Sequence, residues 1–177
     1  MTTQNMPVLA LRGLTAFPGQ TLSFDAEREI SILALENAME GDRELLLVTQ
    51  REIGVQEPQE EDLYAIGTVC RIFQIVKTSD TGVRVIAGGL HRAAIRRLWQ
   101  TKPFLQANVD LLEDEGWRAT DRTEALTRRT YALFGRYQEL VGNLSDQLVA
   151  SVPDIRDPGE LADTIAANIN LRHQDRQ

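Results

Sequence analysis

The amino-acid sequence predicts an α+β protein in which a β-rich lobe with one helix is followed by a helical lobe. Between residues 8 and 112, short apolar runs alternate with polar residues or are bounded by turn-forming residues, and a hairpin signal joins two of them. After Gly116 the apolar spacing changes from two to about 3.6 residues, which is the helical period. We therefore predict a β-rich lobe over residues 1–116 and a helical lobe over residues 117–177.

The β-rich lobe is predicted from alternation and turn chemistry. Ser79-Asp80-Thr81-Gly82 reads as a hairpin loop, and Gly41 is placed to end the helix Ala26–Glu40, in which Ile30, Leu33 and Ala34 form one stripe. The run Glu44–Thr49 is apolar throughout, which is typical of a strand covered on both faces. The predicted strands are Val8–Arg12, Thr21–Phe24, Glu44–Thr49, Ile66–Val76, Val83–Ala87, Leu90–Leu98 and Phe104–Leu112.

The helical lobe is predicted from caps and apolar spacing. Asp121 and Glu124 resemble a capping box at the start of a long helix, and Asp157 with Pro158 begins the last helix. A shorter helical piece lies between them and is closed by Pro153. The apolar sets predicted to share one side are Leu126, Thr130, Leu133, Tyr137, Leu140 and Val141 in the long helix, Leu144, Leu148 and Val152 in the short piece, and Leu161, Ile165 and Ile169 in the last helix.

Charge and composition disfavour two classes of partner. The 177 residues carry a formal net charge of -7, which repels nucleic-acid phosphates and anionic lipids, so neither nucleic-acid contact nor membrane binding is expected. The basic run His91–Arg97 is expected to be a solvated edge or to form a salt bridge between the lobes. No apolar run approaches the roughly 20 residues of a membrane-spanning helix, and residues 1–6 show no secretory signal. A cytoplasmic location is expected.

Catalytic motifs are absent from the sequence. There is no phosphate loop, no glycine-rich dinucleotide motif, no HExxH and no GxSxG. Cys70 and His91 could form a nucleophile and base, but Cys70 lies in the middle of a predicted strand, where a buried thiol is expected. With one cysteine in the chain and His173 in the terminal tail, we expect no catalytic residue and no metal site.

Three apolar side chains are the candidate binding residues. Alternation places Leu22 and Phe24 on one face of their strand and Thr21 and Ser23 on the other. In the same way it places Ile86 on the face opposite Val85. If these side chains are exposed, each gives an apolar spot on a sheet surface that suits a protein substrate. The alternative is that a second layer of structure covers them. Trp99 is expected to lie in the core.

Several blocks of the sequence together resemble a known family. In order, PVLALRGLTAFPG, REISILALENAMEGDRELLLVTQR, DLYAIGTVCRIFQ, VRVIAGGLHRAAI and KPFLQANV are similar to the N-terminal domain of Lon-type ATP-dependent proteases, and the likeness continues into ASVPDIRDPGELADTIAANINL. The chain departs from the usual pattern of the family at Ala10, Ser23, Glu27 and Gly88. The resemblance implies a Lon N-terminal (PUA-like) pseudo-barrel followed by a helical bundle.

The resemblance also implies a function. It suggests the substrate-recognition and assembly domain of a homohexameric AAA+ serine protease, which degrades misfolded and short-lived regulatory proteins in protein quality control. The parent protease would use ATP, magnesium and a Ser–Lys dyad, whereas this sequence contains none of those motifs, so no cofactor is expected here. The last helix is then expected to begin the connection to a motor, and the sequence to be a piece of a longer chain.

A stand-alone module of the same fold, which binds a small ligand or a single protein partner, is the alternative. The zinc-binding variety of such modules is disfavoured because its cysteine pairs are absent.

Overall fold

Six strands and one helix account for most of the regular structure before residue 113. The computed structural model describes residues 3–112, 116–142 and 144–176. In the first part of the chain the elements are β1 (Thr3–Leu11), β2 (Thr21–Ala26), α1 (Glu29–Glu40), β3 (Glu44–Thr49), β4 (Ile66–Lys77), β5 (Val83–Gln100) and β6 (Leu105–Leu111), with a short 3-10 turn at Glu60–Asp62. The predicted hairpin is confirmed, because the amide of Thr78 donates to the carbonyl oxygen of Gly82 between β4 and β5.

The strands form one sheet that closes on itself. The order is β2-β5-β4-β3-β1-β6, and β5 also pairs with β6, so five strands make a barrel and β2 extends it at one edge. β1 and β3 are parallel, and the other pairs are antiparallel. The single strand β5 replaces the two shorter runs that the sequence predicted, because one half of β5 pairs with β2 and the other with β6. These features confirm the β-rich pseudo-barrel.

Two apolar clusters lie on opposite faces of the sheet. β3 contributes Leu45 and Leu47 to one cluster and Leu46 and Val48 to the other, which confirms that this strand is covered on both faces. The first cluster also receives the buried face of α1. That face differs from the predicted stripe: its buried members are Ser31, Ala34, Leu35 and Ala38. The helix begins at Glu29 instead of Ala26, because β2 continues to Ala26.

The second part of the chain is helical. Its elements are α2 (Asp121–Val141), α3 (Asp146–Ser151), a 3-10 turn at Val152–Asp154 and α4 (Pro158–Asn168), and a short α5 (His173–Arg176) follows. By its contacts, the chain divides into one unit of Met1–Glu113 with Leu171–Gln177 and another of Asp114–Asn170. This division places the boundary three residues before the predicted one at residue 116, and it groups residues 171–177 with the first unit.

The helix caps are partly as predicted. Asp157 caps α4, since its Oδ1 accepts a hydrogen bond from the amide of Glu160 at 2.9 Å. The cap of α2 lies one residue before the predicted position, at Thr120, whose side chain exchanges hydrogen bonds with Thr123. Gly142 ends α2 with a φ of 64°, in the left-handed region that favours glycine.

The side of α2 that packs into the core of the helical unit differs from the predicted side. Phe134 of α2 is buried with Val152 and Leu161, and Tyr131 packs against them. The predicted sets of the short piece and of α4 do join this core. In α2, however, Leu126, Leu133 and Leu140 are exposed by 53%, 52% and 86%. We call these three leucines the α2 stripe.

Candidate functional site

An apolar surface lies on the outer face of the half-sheet that β2, β5 and β4 form. Phe73 and Val76 of β4 are exposed by 58% and 42%, and Ile86 of β5 is partly exposed. Ile86 pairs with Gln74 of β4 and with Ser23 of β2, so these side chains share the outer face. We call Phe73, Val76 and Ile86 the outer patch.

A β-bulge presents Phe73 to solvent. Ile72 pairs with Ala87 and Gln74 pairs with Ile86, so Phe73 is the extra residue of β4 between them. Its ring lies over Gly88, where a Cβ atom would be 2.5 Å from Phe73 Cζ. Because Gly88 has no side chain, the Phe73 ring can pack directly over the strand at that residue. Gly88 is one of the positions where the chain departs from the pattern of the family it resembles.

Charged pairs border the outer patch. Arg84 Nε and Nη2 donate to the two carboxylate oxygens of Asp25 at 2.8 and 2.9 Å. This pairing lowers the pKa of Asp25 and raises the pKa of Arg84, chiefly through the hydrogen bonds between them. On the other side, Arg71 Nη2 donates to Glu44 Oε1 at 2.6 Å. An apolar surface with a charged rim is typical of protein-binding sites.

The three candidate residues from the sequence occupy different environments. Ile86 lies on the outer face, as its alternation with Val85 predicted. Phe24 is buried, with 6% exposure, and Leu22 is partly buried against the same cluster. For Phe24 the alternative therefore holds, because other structure covers its side chain. The apolar side of β2 faces the core beside Val85 and Ala87, and its polar side faces solvent.

Sequence reasoning missed Phe73 because alternation does not say which of two adjacent apolar residues faces solvent. Ile72 and Phe73 are adjacent apolar residues, which an alternating strand would place on opposite faces. The doublet was a visible irregularity in the pattern, but its meaning depends on the pairing with β5.

Trp99 was also misplaced: it is 44% exposed, and its Nε1 donates to Asn5 Oδ1 at 2.8 Å.

The Cys70 thiol lacks the properties of a nucleophile. It is fully buried, and burial raises its pKa from 9.0 to about 12, so almost no thiolate forms near neutral pH. Its Sγ contacts the carbonyl oxygen of Thr68 at 3.5 Å, whereas the side chain of His91 is exposed. The arrangement therefore offers no activated thiol.

Two features are absent from the residues that the structure describes. Within ranges 3–112, 116–142 and 144–176, no group of three or more His, Cys, Asp or Glu side chains is placed to hold a metal ion. In the same ranges, no helix combines the length and the apolar character that crossing a membrane requires.

Comparison with known proteins gives consistent matches. The family model of the ATP-dependent protease La (LON) substrate-binding domain matches residues 5–177. The Lon protease of Brevibacillus choshinensis is 38% identical over 174 residues, which is 98% of this chain and 22% of that protein. Lon protease 1 of Bacillus subtilis (strain 168) is 33% identical over 98% of this chain and 22% of its own length. The chain thus spans about a fifth of the length of these curated relatives.

A solved structure shares the fold. The N-terminal domain of a Lon protease from the Mycobacterium avium complex matches with a TM-score of 0.77 over 98% of this chain and 88% of that one, at 22% identity. A Lon N-terminal domain protein from Xanthomonas campestris gives a TM-score of 0.52 at 16% identity, over 93% of this chain and 98% of that one. At these identities the likeness concerns the fold.

Proposed function

The chain belongs to the family of Lon substrate-binding domains, and from this premise we propose that it recognises unfolded or damaged proteins for an ATP-dependent protease and has no catalytic activity of its own. The outer patch is the proposed contact surface, and the exposure of Phe73 beside Ile86 is the observation that carries the proposal. Its ligand is an apolar segment of an unfolded chain, which a folded protein keeps in its core. The buried, protonated thiol of Cys70 supports the absence of catalysis.

The size of the outer patch implies weak binding. Side chains of this size bury roughly 250 Å² together, which at about 25 cal/mol/Å² gives about 6 kcal/mol before costs. Association and ordering cost about 4–15 kcal/mol, so one domain binds at micromolar concentrations or more weakly. Several copies that act on one client would raise the effective affinity without any new contact. Weak contact of low specificity suits a protease that must accept many unfolded sequences.

We place the remaining chemistry in parts of the protease outside these 177 residues. ATP, magnesium, a Ser–Lys dyad and hexamer formation belong there, and the location is the cytoplasm. The decisive observation is the native open reading frame, which should continue past Gln177 into a phosphate loop. A native polypeptide of about 20 kDa would instead favour the stand-alone module.

Binding of a client tests the outer patch. The 177-residue chain is titrated with a fluorescent, reduced and carboxymethylated protein that stays unfolded, and separately with its folded form. We expect at least tenfold tighter binding of the unfolded form, and loss of that preference in Phe73→Asp and Ile86→Asp. Ile53→Asp changes another exposed apolar residue, 48% exposed, and should have no effect. Equal affinity for both forms, or an unchanged preference in both patch variants with the fold intact, would remove the proposal.

The α2 stripe supports the assembly part of the proposal. Leu126, Leu133 and Leu140 recur every seven residues, which is the spacing of a helix that packs against another helix. We assign a second copy of the chain to this surface. Sedimentation velocity should show self-association that Leu133→Asp weakens, whereas a wild-type monomer at all concentrations up to about 1 mM would contradict the assignment.

A further inference from the structure

A cavity of about 520 Å³ lies beside the first turn of α1, and none of the three outer-patch residues lines it. Its wall combines the apolar side chains of Leu9, Leu14 and Phe24 with two arginines, Arg12 and Arg28. This volume falls within the range of about 300–1,000 Å³ that small-molecule sites occupy. A mainly apolar wall with a few convergent polar or charged groups is typical of such sites.

The two arginines donate to neutral acceptors. Arg12 Nη2 donates to Gln56 Oε1 at 2.7 Å and to the carbonyl oxygen of Val55 at 3.4 Å. Arg28 donates to Gln50 Oε1 at 3.2 Å and to the carbonyl oxygens of Gln56 and Ala10. Among the described residues, Arg12 Nε is the buried side-chain nitrogen or oxygen without a hydrogen-bond partner. The guanidinium group of Arg12 therefore retains one unused donor.

The charges of the two arginines are poorly compensated. Burial and the nearby charge of Arg12 together lower the pKa of Arg28 to about 10. Of the two carboxylates in the cavity wall, Asp25 is bound on both oxygens by Arg84. Glu27 is exposed and forms no ion pair with the described residues. An anion between the arginines would relieve their mutual repulsion.

We propose that this cavity binds a small organic anion, with its carboxylate or phosphate group held by Arg12 and Arg28 and its apolar part against Leu9, Leu14 and Phe24. Guanidinium groups bind both kinds of anion through paired N–H donors. The N-terminus of α1, where Arg28 is the N-cap residue and forms no side-chain cap, adds a favourable partial positive charge. The site shares none of its apolar residues with the outer patch and would give the domain a small-molecule ligand in addition to its protein clients.

Matched ligands test the chemistry of the site. The 177-residue chain is titrated with hexanoate, hexyl phosphate, inorganic phosphate and the neutral hexanamide, and amide chemical shifts are followed by NMR. We expect a charged hexyl ligand to bind at least about tenfold tighter than hexanamide, since charge-assisted hydrogen bonds are the stronger ones. The tighter of hexanoate and hexyl phosphate identifies the headgroup. Shift changes should concentrate at residues 9–14 and 28–31, and equal affinity for hexanamide or changes elsewhere would overturn the proposal.

Variants separate binding from a purely structural role. Arg12→Gln should weaken binding about tenfold or more, whereas Arg97→Gln, the same charge change at an exposed strand residue, should leave it within twofold. If Arg12→Gln lowers stability but not affinity, the arginines serve only to hold the backbone and side chain at Val55 and Gln56 in place, and the proposal fails. Glu27→Gln removes an exposed carboxylate from the wall without a fold risk and should tighten binding severalfold. An unchanged affinity in Glu27→Gln would also count against the site.

Discussion

Substitution of Gly89 by alanine should destabilise the β-rich unit, whereas the same substitution at the neighbouring Gly88 should be mild. A Cβ atom at Gly89 would lie 2.1 Å from the carbonyl oxygen of Phe17 and 2.9 Å from its carbonyl carbon. At Gly88 the new atom would lie 2.5 Å from the end of the Phe73 ring, which can rotate away into solvent. The two variants make the same chemical change in adjacent residues and differ in what must move.

The magnitude at Gly89 follows from how firmly the opposing backbone is held. The amide of Gly19 donates to the carbonyl oxygen of Gly89 at 3.0 Å. The amide of Gly89 in turn donates to the carbonyl oxygen of Gln20 at 2.9 Å. Relief of the clash requires a shift of about 1 Å, which weakens at least one of these bonds at about 0.5–1.5 kcal/mol each. Overpacking adds about 1–3 kcal/mol. We expect Gly89→Ala to lower the free energy of unfolding by about 2–4 kcal/mol, and Gly88→Ala by less than about 1 kcal/mol.

Thiol labelling of Cys70 in urea is the appropriate assay, because this buried thiol reports the opening of the β-rich unit alone. The urea midpoint of labelling is compared among the wild type, Gly88→Ala and Gly89→Ala. A Gly89→Ala variant within about 0.5 kcal/mol of the wild type would refute the reasoning. So would equal losses in the two variants. The Gly88→Ala protein should also show weaker client binding, because the new methyl group displaces the Phe73 ring from its position over residue 88.

Three other predictions concern single interactions. Thr68→Val removes the 2.8 Å hydrogen bond from Oγ1 to the carbonyl oxygen of Ala16 and should cost about 1–3 kcal/mol in the same labelling assay, with an unchanged midpoint as the contrary result. Asp157→Ala removes the cap on the amide of Glu160 and should destabilise the helical unit by about 1 kcal/mol, measured by far-UV circular dichroism, while Asp157→Asn should largely retain stability. Burial raises the pKa of Cys70 from 9.0 to about 12, so the unfolded state loses its thiol proton first, and stability should fall as pH rises from about 9 to 12. Cys70→Ala should show a shallower fall over this pH range, and an identical slope would contradict the pKa.

Features of the fold that depend on neighbouring residues were predictable from the sequence. The hairpin at Ser79–Gly82, the alternation of β6 and the Asp157 cap all follow from residues within a few positions of one another. Closure of the barrel was reached only through the family resemblance, because it depends on pairing β5 with β6 and β1 with β3 across the chain. Neither pairing leaves a local signal in the sequence.

Helix α2 shows why periodicity alone cannot identify a core. Two sets of residues compete along it: the leucines of the α2 stripe, and Tyr131 with Phe134. Leucines at regular spacing look like a buried face, yet the core formed around the two aromatic residues, because Val152 and Leu161 of the same unit pack against Phe134. The choice between the two sides depends on the partner elements, which periodicity does not contain.

The candidate sites fail to appear in the sequence for a related reason. Alternation correctly grouped Phe24 away from Ser23, and Ile86 away from Val85, but it does not say which group faces water. Arg12 and Arg28 line one cavity only because the end of β1 and the start of α1 are neighbours in the fold. Sequence reasoning therefore identified neither arginine as a binding residue.

The position of the outer patch follows from the dual role of β5. Its second half pairs with β6 and closes the barrel, whereas its first half pairs with the edge strand β2. In that first half, one face must complete the core under α1, so Phe24, Val85 and Ala87 turn inward together. The opposite face then has no further layer among the described elements of this unit, and it carries Ile86 in register with Ser23. The same pairing that buries Phe24 therefore exposes Ile86, and the bulge at Phe73 places an aromatic ring beside it.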